Sequence, residues 1–355
     1  MEALERHLKV RFEMKVGILS GGGDAPGINA VIRAVVRKGI QHYGYEIVGI
    51  RDGWRGLLEG DFLSLDLSAA SGVLPRGGSL LGTSRINPLK HEKGAEKMLK
   101  NAGKAGMDAF VVIGGEDTLG VAHKMSELGL ECVGVPKTID NDLAGTDYTF
   151  GFHTAVAIAT EALDRLHTTA EAHHRIMILE VMGRYTGWIA LEAGLAGGAD
   201  AILIPEKPFD INDVCEYIKR RQERGRKFSI IVVAEGAKPK GGTEIVYGKG
   251  VDEFGHVRFG GVGYHIGKEI ERRMDLETRV VVLGHLQRGG SPTAFDRVLA
   301  TRFGIAAIDL VHKGEFGRMI ALQGNKIVSV PLKDVVGKRK TVDLELYDIA
   351  SVFFG

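Results

Sequence analysis

Cysteine is nearly absent from this 355-residue chain, which holds only Cys132 and Cys215, far apart in sequence. That spacing excludes a disulfide framework and a clustered zinc site, and it fits a reducing compartment with two inert thiols. An excess of one charge sign is missing too, with 46 basic against 45 acidic residues and a net charge of +1. The basic stripe of a nucleic-acid binder is therefore not expected, and any anion site has to be a local cluster. No stretch approaches the ~18 apolar residues of a membrane span, so no membrane partner is expected. Residues 1–14 are charged and mixed, without the apolar centre of a signal peptide. The expected location is the cytoplasm, with Met14 as an alternative start just ahead of the first strand-like run.

Glycine, by contrast, is abundant at 50 residues, and much of it is clustered directly after apolar runs. Glycines at strand ends suggest a backbone that approaches a ligand closely. The runs KVGIL (15–19), EIVGI (46–50), DAFVVIGG (108–115) and CVGVP (132–136) read as buried strands. Helical spacing separates them, as in Ile28, Val31, Ile32, Val35 and Val36, and again over 92–104 and 118–128. After a long helical pattern over 154–168, a second strand series follows in 175–183, 200–205, 228–236 and 279–284. The stretch 237–262 reads as loop or weak hairpin, 293–312 as helix, and the tail as β-rich or irregular. Strand, helix, strand in this order predicts an α/β fold of two similar doubly wound lobes with mostly parallel sheets. The expected lobes are 1–150 with about 287–335, and 151–286 with about 336–355. Ligands would gather at the carboxyl ends of the strands, in the cleft between the lobes.

Those strand ends carry a restricted chemistry. GGGDAPG (21–27) precedes a helix start, where backbone N–H groups attract anions, although a plain tight turn is an equal reading. It is neither a Walker A loop nor a full dinucleotide fingerprint, which argues against an NAD-dependent oxidoreductase. GGEDT (114–118) sets two carboxylates at a strand end, either as an exposed turn with a helix cap or as part of a Mg²⁺ site. PKTIDND (136–142) packs a cation, a hydroxyl and two carboxylates together. There one carboxylate can accept a substrate proton while its neighbour orients metal or hydroxyl. Arg85, Arg175, Arg184, Arg279, His285 and Arg288 lie near strand ends or glycine turns, as binding a sugar phosphate and a polyphosphate would require.

With GGGDAPGINAVIR (21–33), RGGSLLGTSR (76–85), VVIGGEDT (111–118), PKTIDND (136–142), EVMGRYTGW (180–188), VVAEG (232–236) and VLGHLQRGGSPTAFDR (282–297), the chain resembles the phosphofructokinase A family over about 15–316. The resemblance implies transfer of a phosphoryl group to the 1-hydroxyl of fructose 6-phosphate, with Asp140 as the proton acceptor. It places Glu116 at the magnesium-associated carboxylate, normally Asp, and Gly22, Gly23 and Arg85 at the donor phosphates. Thr138, Asp140, Met182, Gly183, Arg184, Glu235, His285 and Arg288 resemble the sugar-phosphate pocket, with Arg184 also expected in catalysis. Arg175 and Arg279 resemble two arginines that reach that pocket from a neighbouring subunit, which implies a homodimer or homotetramer with shared sites.

Two residues bear on the donor. ATP-using members typically have Gly where this chain has Asp117, and the carboxylate would fall where the α-phosphate of ATP lies. Like charges about 4 Å apart cost about 1 kcal/mol in water and about 4 at an intermediate effective dielectric. Pyrophosphate avoids that conflict, so the expected subgroup is the pyrophosphate-dependent or mixed-substrate one. Lys137, often Gly in ATP enzymes, would neutralise charge on the phosphates in flight. With this donor, family behaviour implies a reversible reaction serving glycolysis and gluconeogenesis. Arg33 and Arg37 match basic effector-site positions, but His167 stands where an Arg is usual, so weak or absent nucleotide regulation is expected. An ATP-dependent enzyme of the same fold is the nearest alternative, and a catalytically silent sugar-phosphate sensor a remote one.

Overall fold

The computed structural model describes residues 14–242, 246–251, 254 and 257–355. The elements that open the chain are β1 (Lys15–Ser20), α1 (Ile28–Tyr43), β2 (Glu46–Ile50), α2 (Trp54–Glu59) and β3 (Phe62–Leu65). They are followed by α3 (Gly94–Lys104), β4 (Ala109–Gly114), α4 (Glu116–Glu127) and β5 (Cys132–Thr138). The middle holds β6 (Phe150–Gly151), α5 (Phe152–His173), β7 (Ile176–Val181), α6 (Trp188–Ala196), β8 (Ala201–Leu203), α7 (Ile211–Glu223) and β9 (Ser229–Ala234). Then come β10 (Val246–Val251), β11 (Val257–Phe259), α8 (Val262–Met274) and β12 (Thr278–Val282). The last elements are α9 (Ala294–Lys313), β13 (Arg318–Gln323), β14 (Lys326–Pro331) and α10 (Leu344–Ser351).

The chain divides into two units, Met1–Pro136 with Arg297–Gly337 and Lys137–Asp296 with Lys338–Gly355. In the first, the strands run in the order β14-β13-β5-β4-β1-β2-β3. The central five pair in parallel, and both edges are closed by an antiparallel strand, β3 on β2 and β14 on β13. The apolar run of β4 is buried throughout, because helices cover both faces of a parallel sheet. Helix α1 leaves β1 towards β2, and α4 leaves β4 towards β5. The order therefore reverses between β1 and β4, and the loops after these two strands open at that switch point.

In the second unit, β12-β7-β9-β8 form an all-parallel sheet. Ile178, Ile231, Val233, Val262, Ile266 and Ile270 make part of the core that α8 buries against it. The 237–262 stretch contains the antiparallel pair β10 and β11, although residues 243–245, 252–253 and 255–256 lie outside the described residues, as do 1–13.

The seams differ from the sequence expectation. The first falls after Pro136, not near 150, so PKTIDND spans it, with Pro136 in the first unit and 137–142 in the second. Lys137 and Thr138 pair there with β6, and Thr149 donates its hydroxyl to the Thr138 carbonyl at 2.7 Å. The next seam follows Asp296, not 287, because the Asp296 carboxylate accepts from the Thr154 N–H (2.8 Å) and hydroxyl (2.5 Å) at the start of α5. The tail is not only β-rich or irregular: it ends in α10, capped by the Asp343 side chain, which accepts from the Glu345 N–H at 2.9 Å.

Candidate active site

In the first unit the loops after β1 and β4 are locked together. The Gly21 N–H donates to the Ile113 carbonyl at 2.9 Å, and the Trp54 indole donates to the Thr118 carbonyl at 3.2 Å. Thr118, buried in the first turn of α4, fills the space beside Gly21 and Gly114. A Cβ on Gly21 would stand 2.8 Å from its side chain, and one on Gly114 2.3 Å from its Cβ, so both positions require glycine. With Thr118 wedged there, Glu116 and Asp117 occupy the first turn of α4, where the helix dipole favours carboxylates. The turn is capped by Gly115 without a side-chain cap, so the carboxylates lie inside the helix.

The RGGSLLGTSR segment packs on the glycine loop. The Gly22 N–H donates to the Ser84 carbonyl at 2.9 Å, and the Thr83 hydroxyl donates to the Gly22 carbonyl at 2.6 Å. Buried Asn29 clamps the same segment, donating to the Arg76 and Gly77 carbonyls at 3.0 and 3.2 Å and accepting from the Leu80 N–H at 2.9 Å. Gly22, Gly23 and the exposed Arg85 thus belong to one tied pair of loops.

In the second unit, Lys137 is buried at 2% exposure and Thr138 folds its hydroxyl back to accept from the Asp140 N–H at 3.0 Å. Asn141 takes a left-handed conformation, φ 52°, and its side chain accepts from the Thr149 N–H at 3.1 Å. The Thr186 hydroxyl donates to the Asp140 carbonyl at 3.3 Å. With its backbone held this way, Asp140 keeps Oδ1 buried and without a hydrogen-bond partner among the described residues. An unpaired buried carboxylate oxygen is costly, and it is suited to receiving a proton.

The loops after β12, β7 and β9 meet because these strands are neighbours. Met182, Gly183 and Arg184 follow β7, Glu235 follows β9, and His285 and Arg288 stand in the helical turn Gly284–Arg288 after β12. The Glu235 N–H donates to the Val181 carbonyl at 2.9 Å and the Gly236 N–H to the Gly183 carbonyl at 3.1 Å. Burial pushes the Glu235 carboxyl up to about 7, Asp140 nearby raises it further, and Arg184 opposes. Fully buried Gln287, which the sequence reading missed, receives the Met182 N–H at 3.3 Å and donates to the Gly284 carbonyl at 3.1 Å. Buried Glu180 was missed as well; it accepts from the Gly261 and Gly263 N–H groups at 3.0 and 2.8 Å and anchors the start of α8. Both sit beside strand-end motifs, but nothing in their spacing distinguishes them from surface polar residues.

Arg175 and Arg279 do not join this group. They lie at the starts of β7 and β12, where Arg279 is in register with Met177, whereas the pocket residues follow the strand ends. Six residues of strand separate the two ends, about 20 Å. Glu277 accepts from both arginines, from Arg175 Nε at 2.7 Å, and these contacts hold its carboxyl below the usual range. His167 is built into the second unit, with Nε2 2.7 Å from the Gly197 carbonyl and its ring edge-on to Phe228.

A doubly wound α/β chain with glycine loops and clustered carboxylates and cations at its strand ends is thereby defined. Residues 15–311 match the phosphofructokinase family, and the chain belongs to that family. It is 59% identical over 343 residues to a pyrophosphate--fructose 6-phosphate 1-phosphotransferase of Streptomyces coelicolor, covering 96% of this chain and 100% of the relative. An ATP-dependent 6-phosphofructokinase 3 of the same organism is 54% identical over 329 residues, 93% of this chain and 96% of the relative. The solved structure of phosphofructokinase from Saccharomyces cerevisiae superposes with a TM-score of 0.80 at 34% identity, covering 91% of this chain and 45% of that one. This chain thus spans less than half the length of the yeast chain. No helix among the described residues is long and apolar enough to cross a membrane.

Proposed function

We propose that this chain transfers a phosphoryl group from pyrophosphate to the 1-hydroxyl of D-fructose 6-phosphate, reversibly, giving fructose 1,6-bisphosphate and phosphate. Relatives named for pyrophosphate and for ATP lie only a few per cent apart in identity, so overall likeness does not choose the donor. The observation that carries the choice is Asp117. Its place in the first turn of α4 is fixed by the Thr118 wedge, next to the loop whose Gly21 N–H binds Ile113. A carboxylate held there repels a third phosphate and tolerates a donor with two.

The sugar hydroxyl attacks in line, and Asp140 Oδ1 takes its proton. A strong base is not needed when the proton leaves late in a loose transition state. Arg184 and Lys137 supply positive charge to the phosphoryl group in flight, and Gly22, Gly23 and Arg85 hold the donor. Thr138, Met182, Gly183, Glu235, His285 and Arg288 hold the sugar phosphate.

Among the described residues no three His, Cys, Asp or Glu side chains converge into a metal cage. The paired carboxylates of α4 fit instead an ion that arrives on the donor phosphates, since Mg²⁺ keeps water and phosphate oxygens as most of its ligands. Glu116 is the residue that would hold it, and the bound ion would supply charge neutralisation on the phosphates. Arg175 and Arg279, remote from their own chain's pocket residues, support a homo-oligomer in which each chain lends them to a neighbour. The proposed setting is the cytoplasm.

Initial rates with pyrophosphate and with ATP, at matched Mg²⁺ and fructose 6-phosphate, test the donor. Pyrophosphate is expected to be preferred, and Asp117→Gly is expected to gain ATP use by at least tenfold. A clear preference of the unmodified enzyme for ATP overturns the donor assignment and leaves the sugar phosphotransferase in place.

A further inference from the structure

Residues 339–342 carry no recognisable motif, yet they run alongside both loops that flank the proposed proton acceptor. Leu143 and Arg339 form an antiparallel bridge, and the Lys340 N–H donates to the Asp142 carbonyl at 2.9 Å. The Lys340 ammonium donates to the carbonyls of Thr146 at 3.1 Å and Asp147 at 2.6 Å. These contacts span the loop that starts at Asp140 and ends at Thr149.

The other side of the same segment grips the loop after β7. The Trp188 indole donates to the Lys340 carbonyl at 3.1 Å, and the ammonium stands 5.2 Å from the centre of that ring. The Arg339 guanidinium lies 4.0 Å over the Tyr185 ring. One Glu206 oxygen accepts from the Val342 N–H at 3.0 Å, and the same carboxylate accepts from the Gly187 N–H. Tyr185, Gly187 and Trp188 directly follow Arg184, and Thr186 between them bonds to the Asp140 backbone. The half-buried Lys340 ammonium is therefore one of the groups that couple the Asp140 loop to the Arg184 loop, and it touches both. Its cost is visible in its own acidity: burial pushes Lys340 down to about 8 and the neighbouring Glu192 carboxyl up to about 7.

We propose that Lys340 is a positioning residue, which fixes Asp140 against Arg184 and Glu235 by clamping the Thr146 and Asp147 carbonyls to Trp188. This rests on the function proposed above. Displacing a reacting group by about 1 Å is worth roughly 100-fold in rate. Such a role therefore predicts a loss in kcat with sugar-phosphate affinity kept.

The test is Lys340→Met and Lys340→Arg in the full chain, with Trp188→Phe as a milder cut of the same clamp. Expected are a 10- to 100-fold fall in kcat for Lys340→Met, affinity for fructose 6-phosphate by calorimetry within threefold, and partial rescue of kcat by Lys340→Arg. Trp188→Phe should show a smaller loss of the same kind. Hydrogen exchange on the same proteins should speed up at amides 141–149 in Lys340→Met. The proposal is overturned if kcat stays within twofold, or if affinity falls as much as kcat. It is equally overturned if exchange at 141–149 is unchanged, and that readout holds even if the enzyme proves to use another donor or substrate. Should Lys340→Met fail to fold, Trp188→Phe with unaltered kcat and exchange overturns it.

Discussion

Glu235 joins the loop after β9 to the proposed sugar pocket and carries a carboxyl that titrates at about 7. Burial is the main cause and Asp140 the second, with Arg184 pulling the other way. Above that pH the group is an ionised acceptor with room for sugar hydroxyls; below it, one oxygen becomes a donor and the acceptor capacity shrinks. kcat/KM for fructose 6-phosphate is therefore expected to fall as pH drops through about 7. Glu235→Gln should have a low and flat kcat/KM between roughly pH 6.5 and 8. A Gln variant with the same acidic limb as the parent enzyme would assign that limb to another group. The proposed roles of Asp117 and Asp140 belong to the same scale: the first would select the donor by its charge, and the second, whose Oδ1 is buried without a hydrogen-bond partner among the described residues, would take the hydroxyl proton.

Elements matter here through how closely their ends approach. A Cβ on Gly236 would stand 2.0 Å from the Arg184 carbonyl oxygen and 2.7 Å from its carbon, both backbone atoms that have no rotamer to escape into. Gly236→Ala must therefore part the loops after β7 and β9. The expected cost is about 1–3 kcal/mol of stability, typical of overpacking, read as a lower denaturant midpoint together with reduced kcat. Gly103, near the end of α3, has nothing within 4 Å of a built Cβ. There alanine should leave the midpoint unchanged or raise it by up to about 1 kcal/mol, since a helix favours it. Equal losses at the two positions would refute the close-approach account.

At the scale of the whole molecule, the strand length that separates Arg175 and Arg279 from Met182 and His285 leads to a complementation experiment. Asp140→Ser and Arg279→Ala are each expected to be inactive with fructose 6-phosphate at ordinary concentrations. In mixed oligomers with the proposed shared site, one chain's Asp140 would meet the other chain's Arg279. Random pairing would then restore one good site in each hybrid dimer, about a quarter of the parent activity. Mixed oligomers that form on a sizing column and stay inactive would refute the shared site.

The sequence by itself determined the strand series and the strand-end motifs. Buried parallel strands are written as continuous apolar runs, and glycine clusters mark where chains pass too closely for a Cβ. The family was legible for the same reason, since its motifs are contiguous in sequence, and the residues proposed for donor choice and proton transfer sit in those motifs. Tertiary structure alone decided the rest, because it depends on partners distant along the chain. The wedge of Thr118 between Gly21 and Gly114, the hold of Gln287 on Met182 and the seam after Pro136 are of this kind. So is the reach of Lys340, whose Nζ bonds to residues 193 and 194 positions away. A lysine in a polar tail looks like any solvated charge until the fold lays it across two loops and takes away its water.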